Sequence, residues 1–198
     1  MKTKAQAERK RENRRKLILS VAIAFLMFAS IFGVVVSRPV SQDTQFYKDI
    51  AITPSPLGLI YEVGKKSMTF DNYPDQVEAV PINITSFKSA VIVFDPNSPV
   101  EDLTIIDRAR ISLELNLRKA GVQVGYGINT AVEDNASAYI NYPVIPCNPS
   151  DTLTVVQLVI GNDTSVTKNG SCITVSGKYA RDVLLAKDAL SYYYLRAK

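Results

Sequence analysis

The sequence predicts an α/β protein, with α+β as the alternative: a single transmembrane helix near the N-terminus, then a mixed-sheet domain with two main helices. Three observations carry this. An uncharged apolar run of 20 residues lies close to the start, a strand–helix–strand pattern occupies 89–126, and a hairpin signal followed by a long helical pattern closes the chain.

Leu17 to Val36 reads LILSVAIAFLMFASIFGVVV. A helix of this length spans about 30 Å, the thickness of a bilayer's hydrocarbon core. Residues 1–16 hold eight Lys/Arg and two Glu, whereas only Arg38 follows the run closely. The positive-inside rule therefore places the N-terminus in the cytoplasm and the rest of the chain outside the cell membrane. The run exceeds the h-region of about 7–15 residues in a cleaved signal peptide, which favours an uncleaved anchor. Ser20/Ala24 and Ala29/Gly33 are small-xxx-small pairs that leave room for a homo-oligomer. The expected organisation is a basic tail (1–16), a transmembrane helix (17–36), a Pro-containing linker (37–57) and an extracytoplasmic domain (58–198).

The tail carries a net charge of +6 and the whole chain +4, which leaves −2 for everything after the tail. The basicity thus belongs to the topogenic tail, and no nucleic-acid partner is expected. Histidine is absent from the chain. That removes the commonest general base and metal ligand, and no catalytic residue, metal site or cofactor is expected.

Within the outer domain, Gly58–Val63 and Ser67–Phe70 read as strands around a Gly64-Lys65-Lys66 turn. Residues 77–85 alternate like a strand that Pro81 confines to an edge or turns into a bend. SAVIVFD, 89–95, is a buried-strand run. Ser98 as N-cap, Pro99 at N1 and Glu101 at N3 form a capping box for a helix with a Leu103, Ile106, Arg110, Leu113, Leu117 stripe. Gly121 closes that helix, and Val122–Tyr126 completes a right-handed parallel β-α-β unit. Ala136–Tyr142 and Leu153–Ile160 read as further strands. Asn169-Gly170 is a hairpin turn flanked by Thr164–Thr167 and Cys172–Val175. A last helix, from about Lys178, carries a Tyr179, Val183, Ala186, Leu190, Tyr193 stripe.

Asp95 is the leading candidate for ligand binding, with Asn97 and Ser98 beside it. It ends a buried strand just before a helix, where open α/β sheets bind ligands. An Asx-turn competes as an explanation for the same residues. Cys147 and Cys172 follow the membrane run, and in an oxidising compartment they are expected to form a disulfide. Asn83, Asn135, Asn162 and Asn169 begin N-x-[ST] sequons, candidates for glycosylation. Ser165 to Lys168 matches S-x-x-K but falls in a hairpin rather than at a helix start, which excludes a Ser–Lys nucleophile there.

Pro146-Cys147-Asn148-Pro149, the strand TLTVVQL at 152–158, Cys172 to Gly177 and the helical Leu185-Ala186-Lys187-Asp188-Ala189-Leu190 together resemble modules of archaeal-type cell-surface proteins, including S-layer-related envelope proteins. The resemblance covers about 50 residues of the C-terminal third. It implies an envelope address and transfers no catalytic residue. The functional expectation is a membrane-anchored, non-enzymatic interaction domain whose partners are the lipid bilayer and other envelope or membrane proteins. The alternative is a small ligand-binding or hydrolytic domain centred on Asp95.

Overall fold

The computed structural model describes residues 44–132 and 137–197. The tail, the apolar run and Asn135 lie outside the described residues. Among those described, no helix is long and apolar enough to cross a membrane.

The fold is α+β. Strands β1 (Gln45–Tyr47), β2 (Ile50–Ser55), β3 (Gly58–Val63) and β4 (Lys66–Phe70) form an antiparallel sheet in chain order. Helix α1 (Pro74–Glu78) and the two-residue β5 (Ile82–Asn83) lead to β6 (Ser89–Phe94), α2 (Val100–Lys119) and β7 (Gln123–Ile128). Then come β8 (Val155–Ile160), β9 (Ser165–Asn169), β10 (Cys172–Gly177) and α3 (Ala180–Arg196). The second sheet has the order β5-β9-β10-β8-β6-β7. β10, β8, β6 and β7 run parallel, and β9 is antiparallel to β10.

The β-α-β unit forms as its pattern predicts, with Ser89 to Phe94 in register with Gln123 to Ile128. Alternate residues Ala90, Ile92 and Phe94 meet Ile106, Ala109, Leu113 and Leu117 of α2 in a single core. Arg110, which interrupts that stripe, lies over the Tyr126 ring and pairs with Asp107 and Glu114. Its aliphatic stem packs while its charge is met at the rim. Gly170 turns the predicted hairpin with φ +59°, and the Pro149 carbonyl approaches so closely that no side chain fits there. Cys147 and Cys172 form a disulfide pair with Cα atoms 5.5 Å apart, pinning that incoming loop to β10.

Four sequence expectations change. Residues 45–55, read as linker, form β1 and β2. Ile50 and Ile52 alternate into the core, and Pro54 sits beyond the end of the β1 pairing, where a missing N–H breaks no ladder. Val77, read within a strand, is buried in α1, which Pro74 initiates, and Val80, buried three residues on, follows in the turn that its N–H closes on the Val77 carbonyl. Of the strand expected over Ala136–Tyr142, the described residues 137–142 form none, for Ser137–Tyr139 is a 3-10 turn. Tyr139 stacks edge-on against both Phe94 and Tyr142, and residues three apart share a face in a helical turn but not in a strand. Finally, Pro99 is the N-cap of α2, with extended ψ and no side-chain cap bond, so the Ser98 capping box does not form. Proline has no N–H of its own, and its carbonyl accepts from Asp102 and Leu103.

α3 departs furthest from its expected stripe. Val183, Ala186 and Leu190 are buried as predicted, but Tyr179 is exposed, while Lys187, Asp188, Ser191, Tyr192 and Tyr194 are buried as well. The helix packs on β8, β9 and β10 and also against α1, α2 and β4, so most of its circumference faces protein. The antiparallel sheet joins this core through Tyr61, Met68 and Phe70.

Its edge at β4 is closed by a side chain. Thr69 N–H donates to Asn116 Oδ1 (3.0 Å) and Asn116 Nδ2 donates to the Thr69 carbonyl (2.7 Å), while Nδ2 also reaches Ser191 Oγ at 3.2 Å. The carboxamide thus replaces a neighbouring strand. Asn116→Ala leaves a part-buried N–H and C=O of Thr69 without their side-chain partner. It is expected to lower the unfolding free energy by about 2–4 kcal/mol, measured by urea titration of tyrosine fluorescence on the full chain in lipid nanodiscs; an unchanged midpoint contradicts this role.

Candidate functional site

Asp95 lies at the carboxyl end of β6, as the pattern predicts. Its Oδ1 accepts from Asn97 N–H (3.0 Å) and from Thr130 Oγ1 (3.0 Å). Asn97 Nδ2 in turn donates to the Ala131 carbonyl at 2.9 Å. Asp95 and Asn97 therefore tie the β6–α2 turn to the chain leaving β7, while Ser98 contributes a backbone contact to the Asp95 carbonyl. This is the Asx-turn arrangement. One feature at this edge is unspent: Asn129 Oδ1, at the end of the neighbouring strand, is buried without a protein partner.

Of the sequon asparagines, Asn83, Asn162 and Asn169 are exposed. No cluster of metal-ligating side chains occurs among the described residues.

Two grooves lie elsewhere. One, about 460 Å³, runs between the β2–β3 turn and the outer face of α2. Its walls expose Leu57 at 80%, Leu115 at 56% and Ile111 at 45%. Arg108 and Lys119 stand at its two ends along α2, and Asp71, Ser112 and Asn116 also line it. The other, about 490 Å³, lies at the end of α3 and includes Val80, Glu78, Tyr192 and Arg196.

Beneath the first groove is a buried charge network. Lys187 Nζ donates to Asp71 Oδ2 (2.8 Å) and Ser112 Oγ (2.9 Å), and it pairs with Asp188 Oδ1. Asp188 Oδ2 accepts from the backbone N–H groups of Asp71 and Asn72 and from Asn72 Nδ2, all within 2.9 Å. Arg108 reaches Asp71 from the groove side. Two cations thus balance two carboxylates. Burial pushes the Asp188 carboxyl up, opposed by the Lys187 ammonium and by the hydrogen bonds from Asn72 and Asp71. Ser112 and Lys187 are the described residues closest to a nucleophile and its base. Yet Lys187 is held between the Asp71 and Asp188 carboxylates, so its contacts there are those of a structural ion pair.

At the second groove, Glu78 Oε1 accepts from Tyr192 and Oε2 accepts from Tyr47 and Lys48. These bonds, Lys48's first, hold its carboxyl well below the usual range, at about 2. Burial, joined by Glu78, pushes the Tyr192 hydroxyl up.

Sequence reasoning passed over Leu57, Ile111, Leu115 and the Lys187–Asp188 pair. Ile111 and Leu115, four apart on the face opposite the core stripe, carry a legible signal. So does a Lys-Asp dipeptide inside an otherwise apolar helical run. No protein-family model, no curated protein and no solved structure matches this chain.

Two outcomes follow. Lys187→Met removes the ammonium partner of the fully buried Asp188 and one of the two cations on Asp71, and is expected to cost about 3–5 kcal/mol of stability; urea unfolding unchanged within error would contradict the network's role. The lowered Glu78 value means its stabilisation is complete above about pH 4.5 and is lost as pH falls towards 2. Thermal melts across that window should fall less steeply for Glu78→Gln than for the unaltered chain, and parallel curves would refute the assignment.

Proposed function

We propose that the chain is a single-pass, membrane-anchored envelope protein whose extracytoplasmic domain binds other envelope or membrane proteins and performs no catalysis. The address is supported by the 20-residue apolar run behind a tail of net charge +6. The Cys147–Cys172 pair, suited to an oxidising compartment, and the exposed positions of Asn83, Asn162 and Asn169 fit that side of the membrane. The resemblance of 146–190 to cell-surface modules points the same way.

The observation that carries the interaction reading is the groove on α2. It gathers three exposed aliphatic side chains in one basin, the kind of contiguous apolar surface that marks a binding site. The second reading, a ligand-binding domain centred on Asp95, is favoured only by the buried, unpartnered Asn129 Oδ1 at the adjoining strand end.

A photo-crosslinking residue placed at position 115 in native membranes should capture a discrete protein partner, and one at exposed Ile160 should not. In the same cells, protease added outside should degrade the domain. Protection of the domain removes the topology, and monomer alone at both positions removes the interaction.

A further inference from the structure

We infer that the α2 groove receives an amphipathic helix of a partner protein, bearing two apolar residues flanked on both sides by carboxylates. The inference rests on the interaction reading above and specifies its partner. Arg108, Ile111, Leu115 and Lys119 all line the groove, at successive spacings of three, four and four along one helix. Over 11 residues that places a cation, two aliphatic side chains and a second cation along about 16 Å of one helical face.

A second helix with acid, apolar, apolar and acid at the same spacings presents the complementary row. Its side chains would seat in the trough between the α2 ridge and the Pro56-Leu57 turn. Lys119 is exposed and pairs with no carboxylate among the described residues. Asp71 lies in the same groove, but its carboxylate is already compensated by Lys187 and Arg108, while Arg108 keeps 60% of its side chain exposed. The local balance thus favours an acidic partner.

The backbone decides the partner's conformation. An extended peptide binds a sheet edge by main-chain hydrogen bonds. At this groove the nearest edge is β4, and the Thr69 N–H and C=O are both taken by Asn116. The other wall is a helix, whose backbone groups bond internally. Side-chain packing is what the groove offers, and that suits a helix.

The test uses the full chain in nanodiscs of neutral phosphatidylcholine and a fluorescein-labelled helical peptide of about fifteen residues. The peptide carries two leucines four apart, with a glutamate three residues before and another four residues after them. A second peptide has lysine at both glutamate positions. Fluorescence anisotropy should show the acidic peptide binding at least about tenfold more tightly. Lys119→Glu with Arg108→Gln should reverse the preference, and Leu115→Asp should abolish binding of both. Tyrosine fluorescence verifies that each variant is folded.

Equal binding of the two peptides, a preference unmoved by the charge changes, or no binding of either overturns the inference. If crosslinking from position 115 still captures a native partner in those cases, the interaction reading stands and only the acidic-helix assignment falls. Loss of both removes the two together.

Discussion

The domain depends on a lysine and an aspartate, adjacent in α3, that are shut away from water. Lys187 and Asp188 are both fully buried, and each reaches across to the end of β4. Lys187 binds the Asp71 carboxylate, and Asp188 binds the backbone of Asp71 and Asn72. An uncompensated charge at such a depth costs several kcal/mol, so neither residue tolerates withdrawal of its partners. The consequence is registry. α3 meets the antiparallel sheet at one height and one rotation, because any slip would strand a charge in the core.

Asn116 and the tyrosines at the end of α3 extend this principle to neutral groups. Asn116 satisfies the Thr69 backbone and touches Ser191 one turn along α3 from Lys187. Tyr194, whose hydroxyl burial pushes up to about 12, exchanges hydrogen bonds with the backbone of Phe87. Tyr192 reaches Glu78 of α1. Four segments distant in sequence from α3, namely β4, α1, the approach to β6, and α2, are therefore indexed on that one helix by directional bonds. Apolar packing supplies most of the cohesion here, yet it is non-directional and could not by itself select this arrangement.

The same network shapes the exposed groove. Asp71 and Ser112 hold the Lys187 ammonium from above, so the groove floor is polar but electrostatically settled. Its aliphatic walls, the exposed part of the Asp71-paired Arg108 and Lys119 remain open to a partner.

How much of this was legible beforehand varied with the range of the interactions. The β6-α2-β7 unit, the β3–β4 and β9–β10 hairpins and the Cys147–Cys172 pairing were all readable, because local periodicity, turn chemistry and cysteine placement specify them. The Asp95 turn was readable for the same reason, including its Asx-turn alternative. The errors at 45–55, 77–80 and 136–142 occurred where short segments have too few residues to reveal a period. There, burial of Ile50, Val77 and Tyr139 against distant partners decided the conformation. The sequence by itself determined the charge asymmetry, the apolar run and the local units. Only the tertiary structure decided that Lys187, Asp188 and Asn116 are interior, and that Leu57 meets Ile111 and Leu115 in a groove. Those facts come from contacts between residues up to 117 positions apart, which no local pattern encodes.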